Sequence, residues 1–295
     1  MAMGAAAALI GGGWQVATRF ATTSTIAPAD LIILRYGIPA LLLLPLLLRL
    51  GLVPDGVSKR LLVLMGCGAG LPFGLVAMTG TQFAPAAHMG VLMAGASPLI
   101  AAGLACLLWR ERPDRSRGLG LAMMSAGVLL LAGKSLVDWS TSAWRGDLLF
   151  LLAATLWACF TLSFRRTGLT PWQAAAWVNV WSMLLVIVWV ALRGGTQLFS
   201  APASAIAWQA LWQGVFAGAL GLWTYSVAIA RLGAANAAAF GALAPVVSAL
   251  GGWYWLGDRL TAVDGLAVLA AVSGVFLASG ALSEAPGAAA ARARG

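Results

Sequence analysis

Charge is scarce in this chain. Only 9% of its residues are Asp, Glu, Lys or Arg, 61% are hydrophobic, and the mean hydropathy is +0.91. Soluble globular domains carry roughly a quarter charged residues, so this composition excludes one and places most of the chain in lipid. Histidine is nearly missing as well, with His88 alone, and cysteine is limited to Cys67, Cys106 and Cys159. Each cysteine lies in an apolar run without a second cysteine or histidine at ligand spacing, which leaves small buried hydrophobes and argues against a metal site or disulfide. No cofactor and no metal are expected. The alternating ten-residue segments of a membrane β-barrel are absent, as are HExxH, paired intramembrane aspartates and a P-loop. Gly95-Ala96-Ser97-Pro98 matches the GxSx pattern of an intramembrane serine protease. However, His88 precedes Ser97 by nine residues, roughly 13 Å of regular helix at ~1.5 Å per residue, too far for a general base. Catalysis is therefore not expected. The formal net charge of +9 is spread over helix ends and not gathered into one stripe, which argues against a nucleic-acid partner.

What the chain does have is long apolar runs. Ten spans can be drawn at about 4–24, 29–50, 59–81, 86–109, 114–133, 146–166, 170–192, 206–230, 233–256 and 260–282, each near the ~20 residues that cross ~30 Å of hydrocarbon. Turn chemistry separates them at Ala27-Pro28-Ala29-Asp30, Pro54-Asp55-Gly56, Arg112-Pro113-Asp114, Thr170-Pro171 and Gly194-Gly195. Met1 to Ile10 lacks a basic n-region and runs on through Gly11-Gly12-Gly13-Trp14 without a cleavage pattern, so it reads as part of the first helix. Residues 283–295, rich in Ala, Gly and Arg, read as a disordered cytoplasmic tail.

The spans form two copies of one unit. Pro98, Glu111, Arg112, Gly118, Gly127 and Gly133 recur as Pro245, Asp258, Arg259, Gly265, Gly274 and Gly280, every pair separated by 147 positions without a gap (245 − 98 = 147). Residues 1–133 form the first five-helix repeat, 134–145 a periplasmic linker and 146–282 the second repeat. Because five is odd, the second copy enters the membrane in the opposite sense. With the N-terminus inside, Arg49, Lys59, Arg60, Arg110, Arg112, Arg115, Arg117, Arg165, Arg166, Arg231, Arg292 and Arg294 are cytoplasmic. Arg19, Arg35, Lys134, Arg145, Arg193 and Arg259 are then outside, and this 12-to-6 split favours both termini in the cytoplasm.

Two such repeats, each with a proline along its fourth helix, an acidic-basic pair closing it and a glycine-punctuated fifth helix, resemble the EamA-type exporters of the drug/metabolite transporter superfamily. The first copy departs from that pattern in Pro113 and the basic Asp114-Arg115-Ser116-Arg117 loop. Length and tryptophan content are most similar to the bacterial amino-acid exporters, including those for aromatic amino acids. The resemblance implies an all-α inner-membrane protein, ten helices as two inverted repeats around a central cavity, exporting small solutes by alternating access. It makes an amino acid the expected substrate and peripheral fifth and tenth helices the expected geometry. A permease for another metabolite or drug is the alternative, and a membrane enzyme or assembly factor is less favoured. Membrane lipid is the other partner, and a monomer or weak homo-oligomer is expected.

Candidate binding residues are polar or aromatic groups inside apolar spans. Gln15, Gln82, Asn179 and Asn236 must each find a partner, either a neighbouring helix or a ligand. Trp14, Trp157, Trp177, Trp181 and Trp223 lie away from the interfacial belt expected of Trp109, Trp139, Trp144, Trp172, Trp208, Trp212 and Trp255. Indole faces suit an ammonium, and amides suit a carboxylate. Tyr225 and Trp223 correspond by the 147 offset to Met78 and Val76, and with Met78 they are expected to line the cavity as an asymmetric aromatic wall. Pro98 and Pro245 are expected hinges because each removes a mid-helix hydrogen bond. Arg35, about two turns into the second span, either snorkels to the interface or meets a substrate carboxylate. Asp30, Asp147, Glu111 and Asp258 all fall at span ends, so no mid-membrane carboxylate relay is visible, which favours facilitated diffusion or weak coupling over strong carboxylate-driven antiport.

Overall fold

Proline and threonine start several of the helices. Pro28 and Pro171 occupy first-turn positions where a missing N–H costs nothing, and Thr170 with Gln173 closes a capping box through bonds of 2.8 and 3.3 Å. The computed structural model describes residues 2–109, 115–137, 140–241 and 243–278, and these contain helices and connecting turns without strands. Glu111, Arg112, Pro113, Trp139 and Gly280 lie outside the described residues, as does the side chain of Asn236.

The first half comprises α1 (Ala2–Ser24), α2 (Pro28–Leu50), α3 (Lys59–Ala69) and α4 (Leu71–Gly80). It continues with α5 (Ala86–Met89), a π-helical stretch Gly90–Gly95, α6 (Ala96–Trp109) and α7 (Arg115–Val137). The second half comprises α8 (Ala143–Thr167), α9 (Pro171–Leu192), α10 (Ala203–Gln209), a π-helical stretch Ala210–Gly221, α11 (Leu222–Gly241), α12 (Leu243–Leu256) and α13 (Ala262–Ala278). Among the described residues, seven helical stretches are long and apolar enough to cross a membrane, at 28–50, 59–80, 86–107, 117–137, 143–167, 171–192 and 203–231. Two helices, 243–256 and 262–278, are apolar but shorter. That is fewer than the ten full crossings expected: α1 is long enough but less apolar, and α12 is short for a local reason. The Ala234-Ala235-Asn236-Ala237-Ala238-Ala239 run has the highest helix propensity and no breaker, so α11 continues through the turn expected near 231–232 and α12 begins only at Leu243.

Helix pairing follows the duplication. α1 packs on α12 just as α6 packs on α8, and α1 runs along 210–221 and α11 just as α3 and α4 run along α8. α2 meets its own equivalent α9, and α7 meets α13. Both halves also interrupt a helix at one repeat position. The break at Gly70 maps to Ala217 in the second π-helical stretch (70 + 147 = 217). Backbone groups released in lipid need partners, and side chains supply them. The Tyr36 hydroxyl donates to the Ala69 and Gly70 carbonyls, Ser182 Oγ accepts from Leu71 N at 3.2 Å, and Asn179 Nδ2 donates to Gly218 O at 3.2 Å. Pro98 lies midway along the continuous helical run 86–109, three residues past the π-helical stretch Gly90–Gly95, whose wider turns leave room for its ring, and Pro245 is the third residue of α12.

Candidate substrate cavity

The interrupted helices leave a cavity of about 130 Å³ between the halves. α1 contributes Gly4, Ala7, Ala8 and Gly11 near its start and Trp14 and Gln15 further along. Small residues there keep the wall thin at that end. Phe73, Trp157 and Tyr225 continue the wall, with Met93, Ala94, Ser97 and Pro98 opposite in sequence to Ala244 of the other repeat. The rings form a connected arc: Trp14 stacks on Phe73 at 5.9 Å between centroids, and Trp157 lies 5.1 Å from both Phe73 and Tyr225. The arc is anchored from behind. Trp14 Nε1 donates to Gln213 Oε1 at 2.6 Å, and the Tyr225 and Thr161 hydroxyls lie 3.2 Å apart.

Arg35 lines the same cavity and is only 3% exposed, so it does not snorkel. Its guanidinium carbon lies 5.7 Å from the Trp14 ring centre and 5.2 Å from that of Tyr36. Nε and Nη1 have no hydrogen-bond partner among the described residues, and no carboxylate there pairs with it. Gln15 Oε1 is likewise buried without a partner. A buried cation with unused donors is expensive unless something else satisfies it, and ring faces do so only in part. The residue equivalent to Arg35 in the second repeat is Ser182 (35 + 147 = 182), whose hydroxyl takes the backbone N–H at the helix break. The duplication has thus placed a charge on one side of the seam only.

Of the residues expected to bind substrate, Trp14, Gln15, Trp157 and Tyr225 come together at this cavity, with Pro98 beside them. Others lie elsewhere. Trp223 stacks on Trp172 at 4.9 Å, because two residues along a helix is about 200° of rotation and turns it away from the Tyr225 face. Met78 is fully buried in the core, and Gln82 is exposed beyond the end of α4. Trp177 and Trp181 do share a face, but both indoles donate to Leu52 O at 3.1 Å and pin the loop after α2. Asn179 spends its amide on Ala175 O and Gly218 O. Pro245 packs against the position of Gly90. Phe73 was missed from sequence, although its place one turn beyond the Gly70 break, in the helix that contacts α8, carries the signal.

The opposite end of the bundle is closed by polar contacts. Arg19 donates to Thr81 O and pairs with Asp258 at 3.3 Å, and Asp258 Oδ2 accepts from Ala86 N at 3.0 Å. Asp147 and Asp264 do lie at helix ends, yet both are buried, and His88 sits between them. The sequence places Asp147 at a span end and leaves no carboxylate in mid-membrane; packing across the repeats, not depth along one helix, is what buries these acids.

Two halves exchanging helix contacts around an aromatic cavity, lined by the first part of α1 and latched beyond it by Arg19, fit a membrane transporter of the duplicated-bundle class. The EamA-like transporter family model matches residues 1–133 and again 144–280, and the chain belongs to that family. A solved crystal structure, described only as a protein, is similar over 94% of both chains with a TM-score of 0.65 at 19% identity, which shows a shared fold. Among curated proteins none matches.

The arc makes a paired prediction. Trp157→Ala should lower transport roughly five-fold or more, about 1 kcal/mol, while Trp223→Ala leaves it unchanged. Initial rates in proteoliposomes of matched protein content check it. Equal losses in both variants would mean that the cavity wall is drawn wrongly.

Proposed function

We propose that this transporter exports small carboxylate-bearing organic solutes from the cytoplasm across the bacterial inner membrane, with amino acids that carry an apolar or aromatic side chain as the preferred class. Arg35 carries the reading. A buried guanidinium with unused donors suits a carboxylate, Gln15 Oε1 and the faces of Trp14 and Trp157 suit an ammonium, and the Phe73–Trp157–Tyr225 arc suits the side chain. The twelve-to-six distribution of basic residues supports a cytoplasmic N-terminus, so the end of the cavity lined by the start of α1 is the loading side. Alternating access then rocks the halves about the seam, with Pro98 and Pro245 as hinges. Substrate carboxylates other than amino acids satisfy Arg35 equally well, so a permease for an organic-acid metabolite is the second reading.

Counterflow in proteoliposomes tests the class directly. Loading with phenylalanine, leucine or tryptophan is expected to accelerate uptake of the labelled amino acid, whereas tryptamine, which keeps the ring and ammonium but lacks the carboxylate, does not. Exchange of carboxylate-free cations with no exchange of amino acids would overturn it. Exchange of simple monocarboxylates at equal rate would favour the second reading.

A further inference from the structure

We propose that His88, held between Asp147 and Asp264, is a proton-binding site whose occupancy locks the end of the bundle beyond the cavity, so that transport is coupled to protons. The site is assembled from distant parts of the chain. His88 comes from α5 in the first repeat, Asp147 from the second turn of α8, and Asp264 from the first turn of α13 in the second. His88 Nδ1 lies 2.7 Å from Asp147 Oδ1, and Nε2 lies 3.5 Å from Asp264 Oδ1. Both ring nitrogens therefore face carboxylate oxygens. A neutral imidazole has one N–H and one lone pair, so it donates to one aspartate and turns its lone pair toward the other. Only the imidazolium donates to both.

Charge accounting over the surroundings gives the same answer. Lys134 of α7 lies 2.7 Å from Asp264 Oδ1, and Thr261 donates to Asp264 Oδ2 through its backbone N and its hydroxyl, each at 2.8 Å. α12, which packs on α5, carries Tyr254 as its one titratable side chain, and that is exposed, while Asp258 after it is taken up by Arg19 of α1 and by Ala86 N. Asp147 Oδ2 has no hydrogen-bond partner among the described residues. With His88 protonated, two buried aspartates meet two cations, His88 and Lys134. When the proton leaves, one buried negative charge is uncompensated, and the contact that ties α5 to α13 across the repeat seam loses its donor. That proton is taken from and returned to water, with no other reactant. Met93, five residues along the same helical run, already lines the cavity, so the clamp and the substrate site share one rigid element. This site replaces the facilitated-diffusion expectation drawn from the sequence.

The proposal uses the alternating-access part of the functional reading, but its test needs no substrate and so fails or succeeds independently of which solute is carried. In a background with Cys67, Cys106 and Cys159 changed to serine, a single Ala21→Cys reports the closed end, because Ala21 is fully buried there. Its rate of maleimide labelling is divided by that of Ser200→Cys, an exposed position, to remove thiol chemistry. Across the range from about pH 5 to about pH 10, within which protein imidazoles titrate, the ratio is expected to rise several-fold in one sigmoidal step. With His88→Gln it is expected to be raised already at the acid end and flat. Asp264→Asn, which removes one acceptor and keeps the shape, is expected to flatten it too and serves if the glutamine variant does not elute as folded protein. A flat ratio with His88 intact overturns the proposal, as does the same step persisting in either variant.

Discussion

Arg35→Met is expected to abolish most transport of carboxylate substrates while leaving the folded protein as stable as before, or more so. Charge-assisted hydrogen bonds contribute roughly 1.5–3 kcal/mol, which corresponds to a loss on the order of ten- to a hundred-fold in rate at limiting substrate. Methionine fills the space over Trp14 and Tyr36 without a charge, and it removes a buried guanidinium with two nitrogens that lack partners among the described residues. An unpaired buried cation opposes folding, so a purely structural arginine would predict the reverse pattern, with lost stability preceding lost activity. Parallel measurement of Tm in detergent and of counterflow in liposomes separates the two. Arg35→Lys should recover part of the rate, since it keeps the charge but loses the planar donor fork.

Gly68→Val is expected to remove nearly all folded protein. A Cβ at this position would stand 2.5 Å from both Leu156 O and Phe160 N, backbone atoms of α8 that no rotamer change can move. α3 and α8 would have to separate, and overpacking of this kind costs about 1–3 kcal/mol or more. The contact also sets the position of Trp157, which lies between Leu156 and Phe160 in sequence, so partial survivors should transport poorly. Gly103→Ala in α6 is the control: nothing lies within 4 Å of its Cβ, and the change should be neutral or slightly stabilising. Size-exclusion elution of the two variants after identical expression decides the matter, and equal yields would contradict the close helix approach.

Composition and the 147-residue repeat were enough to read a helical, duplicated membrane protein, because lipid admits few backbone solutions and duplication leaves its spacing in the glycines and prolines. Several cavity-lining residues were legible for the same reason: Trp14, Gln15, Trp157 and Tyr225 are polar or aromatic groups set in runs that would otherwise be purely apolar. Trp223 was misplaced by reading the repeat offset without the helical period, although that period alone puts it on the face opposite Tyr225. Trp177, Trp181 and Asn179 were legible as groups in need of partners, but not as to which partner, since Leu52 O and Gly218 O are distant in sequence. Arg35 was poised between two fates, and only packing against Trp14 and Tyr36 decided that it stays inside. His88, Asp147 and Asp264 show the limit most clearly. Each looks like an ordinary residue at a helix end, and what makes them a cluster is the inverted docking of the second repeat on the first, which brings three helix ends to one point and excludes water from them. The sequence by itself determined the solvent, the helices and the duplication, because these depend on local composition and spacing. The tertiary structure alone decided which charges are buried and what they face, because burial is a property of the neighbours that folding supplies.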